Sequence, residues 1–197
     1  MLRAAAEVFG ERGYHGASMD EIAARVGVTK PLLYSYFESK EGLFAACGEA
    51  AATLLGERVR AAAGRADLAP DMRLWRGLLS VFEFIGEHRE LWFAFNPPPG
   101  GAVPAGADEI GARGRQAMNA LLGELLTDAA IGEGIAPQMA ELAAPLAPAL
   151  TAGVLATAEW WHEHPEEPAE LQALRVMNFA WIGFEQLLAG KLWMPRD

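Results

Sequence analysis

The side chains best suited to chemistry in this chain are hydroxyl, carboxylate and ammonium groups at the starts of short predicted helices. Ser18 and Glu21 have the spacing of a capping box, in which the hydroxyl accepts a hydrogen bond from a free backbone N–H and the carboxylate reaches back. Thr29 and Ser39 stand at the predicted starts of two further helices, where they can act as caps. Lys30 follows directly on Thr29. Side chains of these types at these positions predict that a partner binds at the starts of the helices.

Arrangements that support catalysis or metal binding are missing from the sequence. His162 and His164 are two residues apart, so on a helix they point in different directions and cannot chelate a metal ion together. The acidic residues are scattered, without the paired carboxylates of general acid–base catalysis. No phosphate-binding glycine loop or nucleophile motif is present. We therefore predict that the chain is not an enzyme and has no metal or other cofactor.

The element that would position these groups is a helix-turn-helix. Ile22, Ala23 and Val26 share one face of a first short helix, and Gly27 supplies the left-handed residue that ends it. Pro31 is tolerated only in the first turn of the next helix. The predicted inward face of that second helix consists of Leu33, Tyr34 and Phe37. In this layout the N-terminal residues of the second helix face the major groove of DNA.

The first 44 residues resemble the DNA-binding domain of the TetR family of transcriptional regulators. The matching residues are Ala5, Ala6, Phe9, Gly13, Tyr14, Ile22, Ala23, Gly27 and Val28. The most specific part is Leu33-Tyr34, Tyr36-Phe37 and Ser39-Lys40-Glu41-Gly42-Leu43. The resemblance implies an all-α fold with a three-helix DNA-binding domain at residues 1–46. It also implies a helical effector-binding and dimerisation domain at residues 47–197.

The same resemblance implies which residues bind DNA. They are Ser18, Thr29, Lys30, Pro31, Leu32, Tyr34, Tyr36 and Lys40. Lys30, Pro31 and Leu32 would face base edges, where Lys30 could donate to guanine acceptors. Thr29 would cap the recognition helix, and the remaining residues would contact phosphate.

The charge balance sets this chain apart from most nucleic-acid-binding proteins. The formal net charge is −10, yet residues 1–48 carry five Lys and Arg against six Asp and Glu. The acidity therefore lies in the remainder of the chain, and we expect modest DNA affinity and salt dependence. Met1 occupies the first apolar position of helix one, where family members usually carry a preceding basic arm. We expect a misplaced start codon or a trimmed chain.

The chain is predicted to be cytoplasmic. Its one cysteine, Cys47, cannot pair within the chain and is expected to be a small buried helix residue. No signal peptide precedes the helical pattern. The apolar stretch from Leu142 to Ala158 is short for a membrane span and contains Pro145 and Pro148, so it predicts a buried helix.

Helical periodicity continues through the rest of the chain, and no strand pattern or internal repeat is evident. The predicted helices cover residues 40–64, 71–87, 88–96, 109–131, 141–164 and 168–189, with a loop at residues 97–106 and a turn at 132–137. Aromatic and Met residues of the middle helices predict a ligand cavity lined by Trp75, Phe82, Trp92, Phe93, Phe95, Met118 and Trp160. Candidate polar groups there are Glu83, Asn96, Arg115, Asn119 and His162. The alternative is plain core packing.

The last two helices are the predicted dimer surface. Their interface residues are Val154, Leu155, Trp161, Met177, Trp181, Phe184 and Leu188. In the family, this helix pair packs against its symmetry mate as a four-helix bundle. The alternative is that both helices close the core of a single chain.

Together these inferences predict a repressor. It would bind a palindromic operator as a homodimer and be released by an apolar or aromatic small molecule. An activator of the same fold is an alternative. A helical small-molecule-binding protein whose DNA-binding domain (residues 1–46, the head) no longer binds DNA is another. A helical enzyme would need a set of catalytic residues that the sequence does not offer.

Overall fold

The computed structural model describes residues 1–89, 92, 96, 107–132 and 145–188, and the regular structure within these residues is entirely helical. The helices are α1 (Leu2–Gly16), α2 (Met19–Val26), α3 (Lys30–Phe37), α4 (Lys40–Ala63), α5 (Pro70–Glu87), α6 (Ala107–Gly132), α7 (Leu146–Glu163) and α8 (Ala169–Leu188). The predicted all-α fold is confirmed. The predicted helix at 88–96, the loop at 97–106 and the turn at 132–137 lie largely outside the described residues.

The chain divides into two compact units. The first consists of Met1–Leu55 with Phe84–Arg115, and the second of Gly56–Glu83 with Gln116–Asp197. This physical division does not follow the predicted functional boundary after residue 46, which remains a prediction. No helix in the described part of the chain has a stretch long and apolar enough to cross a membrane.

The core of the first unit is formed mainly by α1 to α4. Its buried residues are Ala5, Val8, Phe9, Ala17, Met19, Ile22, Ala23, Leu33, Leu43, Phe44, Cys47 and Ile110. Phe9 packs edge-on against Phe44 with ring centroids 5.0 Å apart. Cys47 is buried as predicted, and burial raises the pKa of its thiol to about 12. An inert structural thiol is the consequence.

Local capping signals explain where the short helices begin and end. The Ser18 hydroxyl accepts a hydrogen bond from the Glu21 N–H at 3.1 Å, and Ser39 accepts from the Gly42 N–H at 3.0 Å. Gly27 ends α2 in the left-handed conformation with φ 78°. Two predicted details are wrong. The Glu21 carboxylate binds Arg12 instead of closing the capping box, and Thr29 stands at the N-cap of α3 without a side-chain capping bond.

The connection from α3 to α4 is unusually tight. The Ser39 N–H donates to the Phe37 carbonyl at 2.6 Å, and Glu38 between them has φ 63° and ψ −40°. This is a γ-turn of the strained kind, in which a non-glycine residue adopts positive φ. The packed helices on either side hold Glu38 in this strained conformation.

Helices α7 and α8 pack against each other in the second unit. The buried face of α7 repeats at helical spacing and consists of Ala147, Leu150, Thr151, Val154, Ala158 and Trp161. The Trp161 ring meets Phe82 of α5 edge-on, with centroids 6.2 Å apart. Its indole N–H donates to the Glu167 carbonyl at 2.8 Å, so both the apolar body and the polar edge of Trp161 are satisfied.

Candidate nucleic-acid interface

The exposed side of α3 carries most of the side chains that the sequence assigned to DNA binding, and the others, Ser18, Thr29 and Lys40, stand at the starts of α2, α3 and α4. Leu32, Tyr34 and Tyr36 are exposed, whereas Leu33 between them is fully buried. The prediction that Tyr34 faces inward is therefore wrong. Adjacent residues on an α-helix are about 100° apart, so a helix that buries Leu33 turns Tyr34 toward solvent. The surface available to a partner is thus aromatic, hydroxylated and apolar.

Lys30 lies at the first position of α3 and is ion-paired to the first turn of α2. Its Nζ donates to Asp20 Oδ2 at 2.8 Å, and this hydrogen bond raises the pKa of Lys30. The ion pair brings together the starts of α2 and α3. Ser18, Asp20 and Lys30 consequently share one surface.

Lys40, at the start of α4, contacts the aromatic ring of Tyr14 in α1. Its ammonium lies 4.5 Å from the centroid of the Tyr14 ring, within cation–π distance. The Tyr14 hydroxyl donates to Glu41 Oε1 at 2.6 Å, which lowers the pKa of Glu41. Burial and this same bond raise the pKa of Tyr14 to about 12. The end of α1 and the start of α4 are thereby held together beside Lys40.

The remaining cations of residues 1–48 are also paired within the head. Arg25 forms two hydrogen bonds to Glu11, each 2.9 Å long, which lower the pKa of Glu11. Arg12 binds Glu21 at 3.2 Å. Arg3 lies 3.6 Å from Glu7 one helical turn away. Sequence reasoning missed the pairs of Arg12, Arg25 and Lys30, since partners 9 to 14 residues apart leave no periodic signal.

The predicted ligand residues are placed less uniformly. Phe82 is fully buried, and Trp75 and Met118 are half-buried. Half-buried Trp92 belongs to the first unit, whereas the other described members belong to the second. Phe93 and Phe95 lie outside the described residues. The group remains a prediction.

Trp160 and Trp161 lie in different environments. Trp161, assigned to the dimer surface, is buried inside its own chain, and Trp160, assigned to the ligand cavity, is 38% exposed. Trp160 stacks on His164 at 3.9 Å and lies 4.4 Å below the Arg175 guanidinium. It also lines an open pocket of about 310 Å³ with Ala156, Thr157 and Arg175. Two adjacent tryptophans on one helix must face different ways, and Trp161 is the one that packs in the core.

The other predicted dimer residues that the structure describes are buried or half-buried, and two strongly exposed apolar side chains of α8 were not predicted. Val154 is buried, whereas Leu155, Met177 and Trp181 are half-buried; the side chains of Phe184 and Leu188 lie outside the described part. On α8, Phe179 is 80% exposed and Ile182 is 66% exposed. These two residues are one turn apart and form an unburied apolar surface.

Two polar atoms in the second unit are buried without a hydrogen-bond partner among the described residues. They are Asn119 Oδ1 and Thr151 Oγ1. Asn119 was predicted as a polar ligand contact, whereas Thr151 was missed. Within the described residues, no group of three or more His, Cys, Asp or Glu side chains is placed to hold a metal ion.

Comparison with known proteins agrees with this architecture. Residues 1–47 match the model of the tetR family of bacterial regulatory proteins. The HTH-type transcriptional activator FasR from Mycolicibacterium smegmatis is 46% identical over 88 residues, which cover 45% of this chain and 39% of FasR. The match thus spans about two fifths of that relative's length.

Solved structures extend the similarity to nearly the whole chain. A TetR-like transcriptional regulator from Rhodococcus sp. RHA1 is 33% identical with a TM-score of 0.67, covering 96% of this chain and 94% of that one. The regulator FadR from Bacillus subtilis, solved in complex with stearoyl-CoA, has a TM-score of 0.70 at 18% identity, with 97% of each chain covered. The family match in the head and the full-length similarity to the Rhodococcus regulator show that this chain belongs to the TetR family of DNA-binding transcriptional regulators.

Proposed function

We propose that this protein is a cytoplasmic repressor that binds a palindromic operator as a homodimer and is released by an apolar small molecule. The observation that carries the DNA-binding part is the exposed surface of α3 beside the starts of α2 and α4. Lys30 and Leu32 on that surface would face base edges, while Tyr34, Tyr36 and Lys40 would bind phosphate oxygens. Ser18, Thr29 and Pro31 complete the proposed contact set.

We assign the proposed functions to two parts of the chain, the head (residues 1–46) and the body (residues 47–197). Residues 1–46 would bind DNA, and residues 47–197 would bind the effector and form the dimer. Phe179 and Ile182 support the dimer, because two large apolar side chains one turn apart rarely stay in water without a partner. The half-buried residues Leu155, Met177 and Trp181 would flank them. A two-fold dimer presents two recognition helices, which matches the symmetry of a palindrome.

Support for an effector site comes from the unpaired atoms of Asn119 and Thr151. A buried polar group without a partner costs free energy, and a bound ligand is one way to satisfy it. Buried and half-buried aromatic side chains such as Trp75 and Phe82 suit an apolar ligand. The Bacillus subtilis FadR binds stearoyl-CoA, so long-chain acyl compounds are the first class to test. Effector coupling of about 1–3 kcal/mol would suffice for a switch.

An activator is the second candidate function. FasR, which shares 46% identity over 88 residues, is a transcriptional activator. The sign of regulation depends on where the operator lies relative to the promoter. A reporter fused to the regulated promoter, measured with and without the protein, separates repression from activation.

The experiment that tests the proposal is a fluorescence anisotropy titration. Purified protein is titrated against duplexes from its own upstream intergenic DNA, with random duplex as competitor, at two salt concentrations. Competitor-resistant binding, followed by release on addition of an acyl-CoA, is the expected result. Binding no tighter than to random duplex would contradict operator recognition and favour a small-molecule-binding protein with an inactive head.

A further inference from the structure

The Asp20–Lys30 ion pair contributes little to the stability of the fold. The side chain of Asp20 is 72% exposed and that of Lys30 is 44% exposed, so water screens their attraction. Asp20 lies in the first turn of α2, where a negative charge favours the helix dipole, but the capping position is filled by Ser18. A carboxylate is nevertheless placed on the surface that holds Ser18 and Lys30.

A negative charge on this surface is unfavourable for DNA binding in general. Phosphates that approach Ser18 would be repelled by Asp20, unless Lys30 continues to neutralise it. The three Arg side chains of residues 1–48 have carboxylate partners of their own, and Lys40 lies on the Tyr14 ring. Lys30 is the cation that neutralises Asp20, so its engagement decides the charge of this surface.

The geometry of the pair leaves Lys30 able to bind a base. An ammonium group has three N–H donors, of which Asp20 uses one. The other two remain available for acceptors such as guanine O6 and N7. The carboxylate holds the long, flexible lysine side chain at the start of α3, and it competes with phosphate oxygens for the ammonium.

We propose that Asp20 is a specificity-determining residue. Its ion pair keeps the Lys30 ammonium from binding phosphate oxygens and leaves it able to donate hydrogen bonds to base edges. This inference rests on the proposed role of Lys30 in base recognition. Asp20 lowers affinity for random sequence through Lys30, and so raises the ratio of specific to non-specific binding.

A double-mutant cycle on random duplex tests this. Asp20→Asn is expected to raise affinity for random duplex about two- to fivefold, the range of an exposed ion pair, because Lys30 then binds phosphate. The slope of log K against log salt should steepen by about 0.9, the value for one phosphate contact. In a Lys30→Gln background the same Asp20→Asn change only relieves the repulsion by Asp20, so the gain in affinity should be smaller and the salt slope should not steepen by the value of a phosphate contact.

The control is Glu57→Gln, which removes one negative charge about 25 Å further along α4 from Lys40. The same gain from Asp20→Asn with and without Lys30 would overturn the inference in favour of simple repulsion. No gain would also overturn it, and both results would leave DNA binding intact. If no variant binds any duplex, the proposed DNA-binding function is refuted together with the inference.

Discussion

The carbonyl oxygen of Phe37 lies so close to Gly42 that a Cβ atom on that glycine would clash with it. The same oxygen accepts the Ser39 N–H, so the γ-turn fixes its position. The last turn of the recognition helix and the first turn of α4 therefore meet at one backbone contact. Any residue larger than glycine would force these two helices apart.

Gly42→Ala is expected to lower the free energy of unfolding by about 1–3 kcal/mol, as overpacking does elsewhere. It should also weaken DNA binding, because the start of α3 and Lys40 would move relative to each other. Urea denaturation and anisotropy measure the two effects. The control is Gly123→Ala in α6, where a Cβ meets nothing within 4 Å.

Gly123→Ala should raise stability by about 0.5–1 kcal/mol, the ordinary gain for a helical glycine. A similar gain from Gly42→Ala would contradict the close contact with Phe37.

The raised pKa of Tyr14 predicts that the protein loses stability at alkaline pH. Burial and the Glu41 bond raise its pKa from 10.0 to about 12, so the native state keeps the proton longer than the unfolded chain. Its contribution is complete below pH 10 and disappears as the pH rises toward 12. Tyr14→Phe should remove this part of the pH dependence while it keeps the ring beneath Lys40.

Phenolate absorbance, recorded for wild type minus Tyr14→Phe, measures the titration directly. A difference curve with its midpoint at the ordinary tyrosine value would show that the hydroxyl is not held by Glu41.

Lys30 and Lys40 should respond differently to removal. Lys40→Ala is expected to weaken binding to operator and random duplex alike, and to reduce the salt slope by about 0.9. Lys30→Ala should instead lower discrimination at its base pair by about 1–3 kcal/mol. Anisotropy titrations on both duplexes measure this, with the exposed Arg60→Ala on α4 as control. Equal losses on both duplexes for both lysine variants would contradict the assignment.

Phe179 and Ile182 should form the main apolar contact of the dimer. Replacement of either by Glu places a charge in the proposed apolar contact, and the expected result is a monomer that has lost tight operator binding. Sedimentation velocity reports the mass. Met72→Glu, at a residue of α5 that is 40% exposed, is the matched control and should leave the mass unchanged. A stable dimer with both residues replaced would place the interface elsewhere.

The sequence predicted the head well because its signals are local. Ser18, Ser39 and Gly27 define helix ends through neighbours three or four residues away, and those bonds form. The buried face of α2 followed from periodicity in the same way.

What the sequence did not predict depends on contacts between distant residues or on choices between neighbours. The Asp20–Lys30 pair joins two helices, and only packing decides which of Trp160 and Trp161 enters the core. Glu38 gives no warning of its positive φ, since glutamate has no preference for that conformation.

The internal pairing of cations in the head also bears on how the protein finds its site in a genome. Non-specific electrostatic attraction lets a regulator slide along DNA and keeps it bound for some time at every encounter. A head whose charges are already matched would touch random sequence only briefly and would search mainly by diffusion through solution. Fewer copies would then be held on irrelevant DNA, so a low cellular concentration would suffice to fill a single operator.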